Sequence, residues 1–323
     1  MKTIVLLALI NFIGVSTVWG ACRRFSGAEQ IWSNPSLRFV FIGEVHGSNE
    51  TPAALRELLC DALVHGRHVT VALERPSVEQ ADLDRVVTAK DASAAVARLL
   101  RQPGWRQGGF DGRASKAMLR LLLSLREFQT PEAAVPIFAF DVPSVGTRPG
   151  VRDEAMGNAL LAIHQKRPQD LILVLTGNAH AFQAPTFGYR PAAMYLPQNE
   201  RLSLEVTSNG GQSWADIDGA CGVARMGASA TSGDRLREIV LDPHLAPFGK
   251  VDGILSLGVA TTASSPAVGK VSPSPLCRKK FVAEHHDSSS RGPSSKLHPL
   301  SAQAHFFYMA VSVNSAKAFE FYP

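Results

Sequence analysis

The sequence predicts an α/β fold with a largely parallel, mixed sheet flanked by helices. Short apolar, β-branched runs bounded by turn residues fall at 38–42, 69–73, 135–140, 171–175, 194–196 and 202–206, and read as strands. Segments with apolar residues at helical spacing lie between them, and strands that alternate with helices form parallel sheets covered on both faces. Four of the strand runs also end in polar residues that a purely structural sheet would not require there.

Local chemistry justifies the elements in turn. Thr51 is placed to cap a helix with Pro52 at its first position, and Leu55, Leu58, Leu59, Ala62 and Leu63 make one apolar face before Gly66 stops it. Residues 115–128 repeat the pattern with Met118, Leu119, Leu122 and Leu125, and residues 153–165 with Met156, Leu160 and Ile163. At the start, Lys2 precedes an apolar stretch over 4–15 that Ser16, Thr17 and the small Gly20 and Ala21 close, so residues 1–20 read as a secretory signal peptide and the protein as exported, periplasmic or secreted. That stretch is shorter than the roughly 20 residues needed to cross a bilayer, and no transmembrane span is expected elsewhere. Trp19-Gly20-Ala21-Cys22 also resembles a poor lipobox, which makes a lipid anchor on Cys22 the alternative to release.

Residues 21–267 then form one α/β domain, and residues 268–323 a Ser/Pro-rich basic tail whose composition predicts disorder. Within that tail Glu284-His285-His286-Asp287 carries metal-ligand residue types but reads as solvated. The tail also explains the charge. Of the formal +5, Lys2 holds one, and residues 268–323 hold seven Lys or Arg against three acidic residues, so the body is neutral. Without a basic stripe there, nucleic acid is not an expected partner. Four cysteines, Cys22, Cys60, Cys221 and Cys277, are too few for a disulfide scaffold and lack C-x-x-C spacing. Export makes one bridge reasonable. Cys60–Cys221 is the expected pair, with Cys22–Cys221 second.

The chemistry sits at the strand ends. The first strand runs into Gly43-Glu44-Val45-His46-Gly47, the second into Glu74-Arg75-Pro76, the third into Asp141, and the fourth into Thr176-Gly177-Asn178-Ala179-His180. In a parallel sheet the carboxyl ends of the strands share one edge, outside which ligands bind, so these segments should converge there and bring His46 and His180 together. Gly43 and Gly177 let the chain turn sharply on leaving the strand. Two imidazoles with one or two carboxylates are a reasonable ligand set for a zinc-, manganese- or cobalt-like ion with a position left open to water. Read structurally instead, Glu74 would be a carboxylate paired with Arg75 or another base, and Asp111 and Arg113 would belong to a Gly-rich loop or lid. No G-x-S-x-G, H-E-x-x-H, G-x-G-x-x-G or Walker loop is present.

Gly43-Glu44-Val45-His46, Glu74 and Gly177-Asn178-Ala179-His180 resemble the paired G-x-x-H motifs and intervening glutamate of the superfamily of erythromycin esterases, ChaN-type haem-binding lipoproteins, the TraB group and Tiki proteases. With Asp111-Gly112-Arg113 between them, the order is most similar to ChaN-like exported bacterial proteins. The resemblance spans roughly residues 39–267. It implies that Glu44, His46, Glu74 and His180 form the catalytic and metal-binding group, with Asn178, Asp111, Arg113, Asp141, Arg152 and Asp153 next to the substrate. It further implies a metal-dependent hydrolase of ester, lactone or peptide bonds acting on a small molecule or peptide, with a metal-free version using His46 as general base close beside it. The alternative it implies is a ChaN-like haem- or metal-binding protein in iron uptake, since members of one fold differ in chemistry.

Overall fold

The strand β1 (Phe39–Glu44) is buried along its whole length, and the sheet is laid out to either side of it. The computed structural model describes residues 22–269 apart from 107–110, 131–133, 143–147, 187, 218–219 and 229–234, together with the backbone of 279–280. The expected signal peptide, and the tail beyond residue 269 save that dipeptide, lie outside the described residues. After β1 come β2 (Val69–Pro76), β3 (Ile137–Asp141), β4 (Leu171–Gly177), β5 (Arg201–Thr207), β6 (Asn209–Ile217), β7 (Ala220–Ala228), β8 (Glu238–Val240) and β9 (Gly253–Ser256). Seven of these form one sheet in the order β3-β2-β4-β1-β5-β9-β8, parallel except for β8, which runs antiparallel to β9. The expected α/β architecture is therefore the one observed.

The helices are α1 (Glu29–Trp32), α2 (Glu50–Val64), α3 (Gln80–Thr88), α4 (Ala92–Leu99), α5 (Pro103–Arg106), α6 (Lys116–Ser124), α7 (Pro149–Lys166) and α8 (Asn178–Ala181). Alternation along β1 divides the core. Val40 and Ile42 join Leu55, Leu58 and Leu59 of α2 and Leu121 and Leu122 of α6, whereas Phe39 and Phe41 join Met156 and Leu160 of α7 on the other face. Both faces are thus covered, which is why β1 carries no outward polar residue before Glu44. No helix among the described residues is long and apolar enough to cross a membrane.

Some local expectations change. α2 begins at Glu50, so Thr51 lies inside the helix instead of capping it, and Ser48 Oγ accepts Thr51 N–H, one of the free amides of the first turn, at 3.2 Å. Helix α7 starts at Pro149, ahead of Asp153. Residues 194–196 do not form a strand: Ala192–Tyr195 is a 3₁₀ turn drawn onto α7, with Ala192 N–H donating to Asp153 Oδ1 at 2.8 Å. The hairpin β6–β7 carries no strand signal at its start, where Asn209-Gly210-Gly211-Gln212 holds residues disfavoured in strands. It crosses the edge of the sheet beside the loop after β1, where Trp214 N–H donates to the Gly47 carbonyl at 2.9 Å and Ser213 Oγ to the His46 carbonyl. Gly47 has φ +89° there, and a Cβ would stand 2.0 Å from the Trp214 carbonyl oxygen, so only glycine fits.

The disulfide expectations are corrected. Cys22 is bonded to Cys60, with Cα atoms 5.7 Å apart, and Cys221 is disulfide-bonded elsewhere than to either. The N-terminal segment docks on α2 through Phe25, Ile31 and Trp32, whose Nε1–H donates to the buried Asp61 at 2.7 Å, and this carries Cys22 onto Cys60. A sulfur so committed is not available to a lipid anchor. Removing the bridge in a Cys22→Ala/Cys60→Ala variant is expected to lower the unfolding free energy by about 2–4 kcal/mol, because the open loop regains its entropy in the unfolded chain. Urea denaturation of the two proteins measures this directly.

Candidate functional site

The sheet delivers its polar residues to one edge. Glu44 ends β1 and His46 lies two residues on; Glu74 is near the end of β2, Asp141 ends β3, and Thr176 and Gly177 end β4. Arg152 and Asp153 come from the first turns of α7, His180 from α8, and Asp111 and Arg113 from the loop before α6. Glu74 is the hub. Its Oε1 accepts from Arg152 Nη2 at 2.7 Å and Arg113 Nη1 at 2.9 Å, and its Oε2 from Thr176 Oγ1 and Gly177 N–H, both at 2.7 Å. The two imidazoles approach opposite oxygens of this one carboxylate: His46 Nε2 is 3.5 Å from Oε2 and His180 Nε2 is 3.7 Å from Oε1.

Each imidazole is oriented by a second carboxylate. His46 Nδ1 is 3.0 Å from Glu44 Oε1, and His180 Nδ1 is 2.8 Å from Asp153 Oδ1. Arg152 Nη1 lies 2.8 Å from His180 Nε2, so that nitrogen accepts and the ring proton sits on Nδ1, facing Asp153. The guanidinium groups complete the frame. Arg152 grips Asp141 through Nε and Nη2 at 2.9 and 2.8 Å, and Arg113 donates to Asp111 through Nε at 2.7 Å and to Asp141 through Nη1 at 3.1 Å. Gly177 leaves room for this: a Cβ there would stand 3.0 Å from His46 Nε2 and 3.6 Å from Glu74 Oε2.

Electrostatics follow from this packing. Burial works to lower the His46 pKa, but the carboxylates of Glu74 and Glu44 outweigh it and push it up to about 10. Burial works to raise Glu74, yet the imidazoles of His180 and His46 and the Arg113 guanidinium beside it hold it well below the usual carboxylate range. Asp111 is likewise lowered, burial being outweighed by Arg113. Because the folded pKa of His46 lies above its ordinary 6.5, its contribution to stability is full below pH 6.5 and is lost as the pH rises through about 10. Unfolding free energy measured across that interval should fall in the wild type, and His46→Gln should flatten the slope.

The arrangement does not suit the divalent ion that the residue types implied. Among the described residues no group of three or more His, Cys, Asp or Glu is set to hold a metal. The physical reason is that Arg113 and Arg152 stand where a cation would: they occupy Glu74 Oε1, and Arg152 takes up the free nitrogen of His180. Nor does Glu74 pair with Arg75. Arg75 is buried, bonded through Nε and Nη2 to Glu79 at 2.9 and 2.8 Å, stacked 4.5 Å over the Trp105 ring, and donates to the Arg113 carbonyl at 3.0 Å. Among the described residues Asn178 makes no bond within the cluster, and it lies over Gly43, whose neighbour on β5 is Glu205. Thr176 and Arg75 carry no site role in the sequence pattern, and Glu79 and Glu205 are not singled out by it. Thr176 adjoins the second G-x-x-H motif and could have been included, whereas Glu205 lies inside an apolar strand run and gives no local signal.

Fold and site together define an α/β protein with a charged cluster, two carboxylate-held imidazoles at its centre, on the carboxyl edge of a mostly parallel sheet. The same fold is found in an erythromycin esterase, an EreC variant in its open conformation, at a TM-score of 0.53 and 11% identity over 73% of this chain and 93% of that one. It is also found in a succinoglycan biosynthesis protein, at 0.53 and 9% identity over 71% and 89% of the two chains. ChaN of Campylobacter jejuni, described with cofacially bound haem, matches at a TM-score of 0.39 and 12% identity over 57% and 87%, too slight to argue from. These likenesses establish the fold alone, an α/β fold shared with the erythromycin esterase and the succinoglycan biosynthesis protein. No protein-family model and no curated protein matches the sequence.

Proposed function

We propose that this protein is an exported hydrolase of carboxylic esters or lactones that moves protons between two carboxylate-oriented imidazoles without a resident metal ion. The observation that carries the reading is the pair Glu44–His46 and Asp153–His180, converging on the two oxygens of Glu74. His180 is the general base: its proton lies on the Asp153 side, and Nε2 takes a proton from water once substrate draws Arg152 aside. His46, held as an imidazolium by Glu44 and Glu74, is the general acid that returns a proton to the departing alkoxide. Arg113 and Arg152 supply fixed positive charge for the oxyanion that forms when water adds to the acyl carbon. Export is supported by the disulfides.

Purified protein assayed on aryl and alkyl esters, lactones and short peptides, with and without a chelator, tests this. The expected result is ester or lactone hydrolysis that survives chelation and is lost in His180→Ala. Activity that returns only on adding a transition metal would restore the metal-dependent reading, and a Soret band on haem titration with no hydrolysis of any substrate would replace both.

A further inference from the structure

A buried carboxylate lies beside the site and takes no part in its chemistry. Glu205 sits next to Gly43 in the parallel register of β5 on β1 and is 3% exposed. One of its oxygens accepts Phe248 N–H at 3.2 Å, and Asn178, whose Cα lies over Gly43, stands beside the carboxyl. No Lys, Arg or His is among the groups acting on it. The Ser203 and Thr207 hydroxyls, two residues away in each direction on the same face, are buried without partners and do not turn to it. A carboxyl kept in such a place without a counter-charge is costly, and burial, only partly offset by Phe248 N–H and Asn178, pushes Glu205 up to about 7.

Its connection to the site runs through α8. With four residues, this helix cannot hold its own register, so the placement of His180 must come from outside. Asn178 opens the helix. It crosses β1 at Gly43, where a Cβ would stand 3.0 Å from Asn178 Cα and 3.0 Å from Ala181 Cβ, and so reaches Glu205 on the next strand. Asn178 thus fixes one end of the segment to the sheet, while Asp153 receives His180 two residues later.

We propose that Glu205 is a positioning residue for His180, anchoring α8 through Asn178 so that the imidazole stays aligned with Asp153 and Glu74. The kinetic test rests on the hydrolase reading; the structural test does not. Glu205→Leu removes the anchor but also an uncompensated buried carboxylate, so its melting temperature should hold or rise. Its kcat should nevertheless fall about tenfold or more with KM within about twofold, as for a misplaced catalytic group. Asn178→Leu should do the same, and the double variant should lose no more than either alone. Glu205→Gln, which keeps the size and polarity of the side chain and can still accept Phe248 N–H, should recover most of kcat. In parallel, the slowly exchanging Nδ1–H proton that His180 shares with Asp153 should be visible by NMR in the wild type and Glu205→Gln, and absent in Glu205→Leu. If Glu205→Leu keeps both kcat and that proton signal, or if Glu205→Gln is as impaired as Glu205→Leu, the positioning role is overturned. Should the wild type hydrolyse none of the substrates, the hydrolase reading fails, and the proton signal alone decides the role of Glu205.

Discussion

Replacing Glu74 with Ala should lower the unfolding free energy by about 3 kcal/mol and abolish activity. The carboxylate is 4% exposed, and its loss leaves Arg113, Arg152, Thr176 Oγ1, Gly177 N–H and His46 Nε2 without that acceptor at once. Breaking a buried ion pair from one side costs about 3–5 kcal/mol, and Asp141 and Asp111 keep the cost at the low end by retaining both guanidiniums. The acid side of the stability curve gives a second measure. A carboxylate held below its ordinary 4.5 adds stability above that pH, which is lost as the pH falls through the lower folded value. Urea unfolding from pH 7 downward should therefore show a steeper acid loss in the wild type than in Glu74→Gln. A destabilisation under about 1 kcal/mol in Glu74→Ala would mean that solvent already screens the cluster.

Replacing His180 or His46 with Ala should reduce kcat/KM by about 100- to 10,000-fold, the range for a lost general acid or base. The pH profile distinguishes the two roles. With His46 acting as an acid that titrates near 10, wild-type activity declines as the pH rises through about 10, and the residual activity of His46→Ala should lack that alkaline limb. His180→Ala should keep it. If His46→Ala alone is inactive and the wild type instead gains activity as His46 loses its proton, His46 is the base and the assignment of roles reverses.

Much of the positioning was legible before any coordinates. The runs ending at Ile42, Leu73, Phe140 and Leu175 have the length and composition of strands buried on both faces, and the polar residues that follow each had to emerge at one edge because parallel strands share a direction. That reasoning placed Glu44, Glu74, Asp141 and the two histidines together. What it could not reach was the pairing within the cluster, since residue types say which groups can ligate a metal and not which groups stand between them.

The sequence by itself determined the α/β class, the shared edge and the identity of most groups standing on it, because periodicity and strand-end chemistry are local properties of the chain. Only the tertiary structure decided that Arg113 and Arg152 fill the position of a cation between Glu74 and Asp141, that Arg75 turns away to Glu79, that Cys22 meets Cys60, and that Glu205 lies beneath Asn178. Each of these is a contact between elements far apart in the chain, set by side-chain reach and packing across the sheet, and no local pattern of residues encodes it.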